Sequence, residues 1–180
     1  MDAHAFSTAL AGGSSPLPGR VIARFTGPDR VRYVNGQVSN DVARLPAGQS
    51  LHAAVCTAKG RLQAEVHVHA TPDAIYVDGP AELIDTLPAR LERYLIADDA
   101  QFEDLSASLQ LIHAWGAARD LPVPGEIVRF LNPHRFGLDG ADILASAAGG
   151  ATVPAEFLDI CRIAAGIPVW GRELDETTLP

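Results

Sequence analysis

The residues best suited to chemistry fall between Tyr33 and His69, in the run YVNGQVSNDVARLPAGQSLHAAVCTAKGRLQAEVHVH. Asn35, Gln37, Asn40 and Asp41 offer amide and carboxylate groups, which can match a ligand's paired donors and acceptors. Lys59 and Arg61 place two cations around a turn, where they could meet anionic groups. Gln63 follows on the same strand. His52, Glu65, His67 and His69, with Cys56 nearby, combine imidazole and carboxylate, a donor set for zinc or another divalent metal. Each group also has a plainer role. The amides and Asp41 suit turns and helix caps, the two cations suit a solvated hairpin tip, and the histidines suit a polar strand surface. Ligands spaced two apart on one strand, with no helix supplying another, form a loose set, so no metal site is assigned.

The elements that must position these residues are legible. From Arg61 to Ala70 the alternation is strict, with Arg61, Gln63, Glu65, His67 and His69 on one face and Leu62, Ala64, Val66, Val68 and Ala70 on the other. That pattern predicts a half-buried strand with one polar face. A partner strand over 51–58, joined by a two-residue Lys59-Gly60 turn, places His52 opposite His67, Ala54 opposite Glu65 and Cys56 opposite Gln63. Small polar residues beside a regular hairpin are the expected form of a binding site on a rigid scaffold.

Strands are also expected at 20–25, 74–78, 101–105 and 108–115, with weaker candidates at 125–130, 135–137 and 141–145. A short helix should follow Gly27-Pro28-Asp29 and stop at Asn35-Gly36. Ser39 or Asn40 is expected to cap another over 41–45. The apolar spacing from Leu83 to Leu95 predicts a helix that Pro88 kinks or restarts. A last helix should begin at Pro154 and end near Gly166. Hairpins preceding helices argue for an α+β fold with antiparallel sheet. Residues 1–19, ending in AGGSSPLPG, read as a mobile lead-in, and 20–180 as the folded module. The tail, with Trp170, Leu174 and Leu179, should pack on something.

Composition narrows the function classes. The chain has 180 residues, 47% hydrophobic and 20% charged, enough to bury a core. A formal net charge of −8 argues against general nucleic-acid binding, which needs basic residues to neutralise phosphates. No apolar run is long enough to span a bilayer, and the first residues lack the form of a signal peptide. Cys56 and Cys161 are too few for a disulfide framework, so reduced thiols and a cytoplasmic location are expected.

Two segments carry a family resemblance. FTGPDRVRYVNGQVSNDVARLPAGQ followed by TAKGRL, and RIAAGIPVWGRELDETTLP near the end, resemble signatures of the glycine-cleavage T-protein (aminomethyltransferase) and YgfZ-type folate-binding superfamily. The resemblance covers roughly 20–180. It implies that family's antiparallel fold and a tetrahydrofolate derivative as ligand. Asn35, Gln37, Asn40, Asp41, Lys59, Arg61, Gln63, Arg162 and Trp170 are the implied folate contacts. Amides match the pterin edge, cations suit the glutamate carboxylates, and Trp170 could stack on the pterin or anchor the tail.

Departures from the pattern separate the branches. The aminomethyltransferase pattern has acids after the hairpin turn, one of them catalytic, where this chain has Gln63 and Ala64. Its later folate-binding acid corresponds to Ala164. An amide cannot take a proton as a carboxylate does, so no catalytic residue is assigned. The resemblance therefore implies a YgfZ-type folate-binding protein linked to iron–sulfur protein maturation, with iron–sulfur assembly proteins as partners, or to tRNA modification. The alternatives are an aminomethyltransferase and a ligand-free interaction domain. The YgfZ-type K-G-C-Y-x-G-Q-E motif does not occur in these residues, and the module reads as truncated at its C-terminus.

Overall fold

A computed structural model of the chain describes residues 2–132, 134–147 and 151–179. Pro180, the last residue of the second signature, lies outside them. The fold is α+β with antiparallel sheets, as expected. The chain divides into two compact units, one from residues 1–18 and 108–168, the other from 19–107 and 169–180.

The second unit contains the hairpin. Its strands are β2 (Val21–Thr26), β3 (Ser50–Cys56), β4 (Leu62–Ala70), β5 (Ile75–Gly79) and β6 (Gln101–Asp104). They form one sheet in the order β3-β4-β5-β2-β6, with every neighbour antiparallel. Alternation sends Val21, Ala23 and Phe25 of β2, Val66 and Val68 of β4, and Ile75 and Val77 of β5 into one apolar core. Two short helices, α2 (Arg30–Asn35) and α3 (Leu87–Glu92), contribute Tyr33, Val34, Leu87 and Leu91 to that core. Burying such side chains is worth about 1.5–3 kcal/mol each. The Tyr33 hydroxyl donates to the Leu91 carbonyl at 2.6 Å and so ties the two helices together.

Gly27 links β2 to α2 at φ 93°, where an added Cβ would lie 2.6 Å from the Asp99 carbonyl oxygen. Only glycine fits that turn. Asp29 follows at the start of α2. Its carboxylate pairs with Arg32 at 3.1 Å and accepts the Asp99 amide at 2.8 Å, and both contacts hold it below the usual carboxylate range. Pro88 restarts the helical path as expected. A single 3-10 turn at Ala81–Leu83 precedes α3, which has proline in its first turn. The tail packs back on the hairpin, with the Leu62 amide donating to the Thr178 carbonyl at 3.1 Å.

The first unit differs from the lead-in expectation. Residues 3–11 form α1 (Ala3–Ala11) and residues 12–17 form β1 (Gly12–Leu17). The strand pairs along its length with β7 (Gln110–Gly116), from Gly12 opposite Gly116 to Leu17 opposite Leu111. The sheet is completed by β9 (Gly140–Ala145) and β8 (Glu126–Leu131), in the order β1-β7-β9-β8. The Gly, Ser and Pro content that suggests a loop has a packing reason. A Cβ on Gly13 would lie 2.5 Å from Val153 and 2.8 Å from Trp115, so a larger residue could not pass there. Pro16 is tolerated because β1 is an edge strand. Trp115 lies beneath, stacked on Phe157 with centroids 5.5 Å apart, and its indole nitrogen donates to the Ala9 carbonyl at 2.8 Å. Phe157 belongs to α4 (Ala155–Ala164). Residues 135–137 form bends, not a strand. Arg135 is buried and ion-paired with Asp142 at 2.9 Å, a role that supersedes its weak strand pattern.

Candidate functional site

The hairpin register holds from Ser50 to Val55, with His52 opposite His67 and Ala54 opposite Glu65. It then departs from expectation. The Gly60 amide donates to the Thr57 carbonyl and the Thr57 amide to the Arg61 carbonyl, both at 2.9 Å, so three residues close the turn instead of two. Gly60 takes φ 76°, the left-handed residue that a three-residue hairpin loop requires. The extra turn residue would shift the whole strand by one and exchange its faces. A β-bulge absorbs the shift: Cys56 pairs with Leu62 and Val55 with Ala64, leaving Gln63 as the inserted residue.

Gln63 is therefore turned out of the ladder, and Arg90 of α3 takes hold of it. The Arg90 guanidinium donates to the Gln63 amide oxygen at 3.0 Å, to the Gln37 amide oxygen at 2.9 Å and to the Cys56 carbonyl at 3.3 Å. The same guanidinium lies 5.2 Å from the Tyr94 ring centroid. Two of the expected contacts, Gln37 and Gln63, are thus brought together by a residue that sequence reasoning missed. Arg90 sits in an ordinary helical stretch, and no local pattern marks it.

The other expected contacts are distributed differently. The Asn35 amide oxygen accepts the Val42 and Ala43 amides at 2.8 and 3.3 Å, capping the 3-10 turn at Val42–Arg44 in place of Ser39 or Asn40. Asn40 donates to the His52 carbonyl at 2.9 Å, and Asp41 pairs with Arg44 at 3.1 Å. Lys59 and Arg61 are exposed near the hairpin tip, and Arg61 reaches the Thr177 carbonyl at 3.4 Å. Trp170 is half-buried in the tail and bridges to Leu174. Arg162 belongs to the first unit, buried in α4, where it pairs with Asp159 at 2.6 Å and donates to the Ile167 carbonyl at 3.2 Å.

The polar face of β4 is not solvated, which corrects the half-buried expectation. Glu65, His67 and His69 are all buried, and the four candidate ligands separate into two groups. His69 lies between the Asp78 carboxylate at 2.7 Å and the Ser50 hydroxyl at 2.6 Å, and Asp78 also accepts from Arg20 at 2.8 Å. Both ring nitrogens of His69 are thereby engaged. His52, Glu65 and His67 form the other group, with their ligand atoms all within 4.8 Å of one another.

The two thiols should differ in reactivity. Cys161 is buried, and burial raises its thiol above the ordinary range, whereas Cys56 is half-buried. Because the thiolate is the nucleophile, iodoacetamide at neutral pH should label Cys56 first. Peptide mass spectrometry after timed quenching checks this, and equal labelling rates would contradict the burial argument.

No protein-family model matches the chain. Relatives do. An iron-sulfur cluster assembly factor IBA57 homolog, mitochondrial, of Phaeosphaeria nodorum is 26% identical over 190 residues, spanning 96% of this chain and 46% of that protein. An aminomethyltransferase of Rubrobacter xylanophilus is 28% identical, across 87% of this chain and 51% of the relative. The tRNA-modifying protein YgfZ of Cronobacter sakazakii is 32% identical over 75 residues, 42% of this chain and 23% of the relative. Among solved structures, aminomethyltransferase T of Bartonella henselae superposes with a TM-score of 0.60 at 15% identity, over 87% of this chain and 45% of that one. The chain is thus similar to members of the aminomethyltransferase/YgfZ superfamily. It spans about half the length of the longer-matching curated relatives.

Set against that superfamily's pattern, the departures now have locations. Gln63, standing where the transferase pattern has an acid, is the bulge residue held by Arg90. Ala164, standing for the second acid, is the exposed last residue of α4. Among the described residues no helix is long and apolar enough to cross a membrane.

Proposed function

We propose that the chain is a YgfZ-type factor that binds a tetrahydrofolate derivative and serves iron–sulfur protein maturation alongside iron–sulfur assembly proteins. One observation carries this over the transferase reading. At the position of the transferase acid, a neutral amide has its oxygen held by a guanidinium, and such a group cannot accept a proton at the reacting centre. The extended similarity to iron–sulfur assembly factors supports the same branch.

The residues present suit the ligand. Arg90 occupies the amide oxygens of Gln37 and Gln63. Their amide nitrogens make no hydrogen bond among the described residues, which leaves two donors for the acceptor edge of a pterin. Lys59 and Arg61 near the hairpin tip suit the glutamate carboxylates, and Trp170 offers a ring for stacking. Asn35, Asn40 and Asp41 would shape the adjoining loop, since their side chains serve the local backbone and Arg44. Arg162 would support the second signature through its bond to Ile167. A bound tetrahydrofolate supplies a one-carbon carrier, and the chain's own part is to hold and orient it. A reducing compartment such as the cytoplasm suits two free thiols, and the fungal relatives carry "mitochondrial" in their names.

Thermal unfolding with 5-formyltetrahydrofolate tests the reading. A ligand that binds only the native state stabilises it, by about 2.7 kcal/mol at a hundred times its dissociation constant. The midpoint should rise, and Arg90→Met should weaken binding about tenfold or more, equivalent to about 1.4 kcal/mol, because both amides lose their orientation. An unchanged midpoint at millimolar ligand would instead leave the fold as an interaction domain.

A further inference from the structure

From the polar face of the hairpin we infer a divalent transition-metal site made by His52, Glu65 and His67. The three residues reach one place for a topological reason. His52 and His67 are directly opposed on β3 and β4, and Glu65 stands two residues before His67 on the same face. The shift introduced by the turn is absorbed at Gln63, before this register begins, so the alignment of the three side chains is preserved.

The geometry is near that of a ligand set. The His52 and His67 rings have centroids 4.8 Å apart at an interplanar angle of 32°, and His52 Nε2 lies 2.8 Å from a Glu65 carboxylate oxygen. Metal–ligand bonds of about 2.0–2.2 Å in a tetrahedral arrangement separate neighbouring ligand atoms by about 3.4 Å. The observed separations, from 2.8 Å to no more than 4.8 Å, bracket that value. The side chain that must move most freely can do so: His52 is 46% exposed, whereas Glu65 is 10% exposed. A metal ion would replace the proton that His52 now shares with the carboxylate.

The environment favours a cation. A buried carboxylate requires a compensating charge or hydrogen bonds, and Glu65 is buried beside two imidazoles. Two histidines and one carboxylate make a borderline set that suits Zn²⁺ or Fe²⁺ and leaves at least one coordination position for water or a ligand. His69, the third histidine of this sequence cluster, is excluded because Asp78 and Ser50 engage both of its ring nitrogens. None of the three ligands belongs to the proposed folate contacts, so the two sites are tested separately.

The test uses the untagged full chain, stripped with chelator and titrated with Zn²⁺ and with Co²⁺ as a spectroscopic probe. Binding of one equivalent is expected, with visible cobalt bands of low coordination number and a raised unfolding midpoint. Affinity should fall as pH is lowered, because protons compete for the imidazoles. His52→Ala alters an exposed side chain and should leave the fold intact by circular dichroism while weakening binding by more than about 100-fold, beyond what loss of an outer-shell partner costs. Glu65→Gln, nearly isosteric, should weaken it comparably. Absence of stoichiometric binding, or binding unchanged in both variants, would overturn the assignment.

Discussion

Removing residues 1–18 should destabilise the unit they share with 108–168 by about 4 kcal/mol or more, a large part of the 5–15 kcal/mol that stabilises a typical domain. The deletion removes the full β1–β7 ladder and exposes the β7 edge. It strips Ala9 and the partly buried Phe6 and Leu17 from the cluster around Trp115, Phe157 and Leu158. A fully buried Leu or Phe contributes about 1.5–3 kcal/mol, and the carbonyl accepting the Trp115 indole hydrogen is lost as well. Denaturant unfolding followed by near-ultraviolet circular dichroism should show an early or non-cooperative transition. A mobile lead-in would leave the midpoint unchanged, so this measurement separates the two readings of the first 18 residues.

Asp142→Ala should cost about 3–5 kcal/mol, the range found when one partner of a buried ion pair is removed. Asp142 lies on β9 and is fully buried. One carboxylate oxygen is 2.8 Å from His113 Nδ1, while the other accepts from Asn132 at 2.5 Å and from Arg135 at 2.9 Å. The variant withdraws a countercharge from the Arg135 guanidinium, whose side chain is 4% exposed. Asp142→Asn keeps the shape but loses the charge and turns a donor toward other donors, so a smaller loss is expected. Urea titration should show a lower midpoint with an unchanged slope. A loss below about 1 kcal/mol for the alanine variant would mean that the network contributes little to stability.

These two predictions concern features that sequence patterns describe poorly. Residues 12–17 have a loop-like composition because their small size answers a steric demand from Val153 and Trp115, far away in the chain. Asp142 stands in an apolar strand, and its partners His113, Asn132 and Arg135 come from a neighbouring strand and from the loop after β8. Where interactions are local, sequence reasoning succeeded. Alternating residues on β4 give the apolar core face, and opposition of His52 and His67 follows from counting back from the turn. The count gave the correct register over Ser50–Val55 although the turn has one more residue than expected, because the bulge at Gln63 cancels the difference.

The sequence by itself determined the α+β class, most strand positions, the hairpin faces, the superfamily resemblance and the amide at the transferase acid's position. All of these rest on residue identity or on short-range periodicity, which the chain carries locally. Tertiary structure alone decided that the polar hairpin face is buried, that His69 goes to Asp78 while His52, Glu65 and His67 gather, and that Arg90 joins Gln37 to Gln63. Arg90 lies 53 and 27 residues from those amides. A guanidinium's partners are set by which surfaces the packed core brings together, and no spacing within one element encodes that meeting.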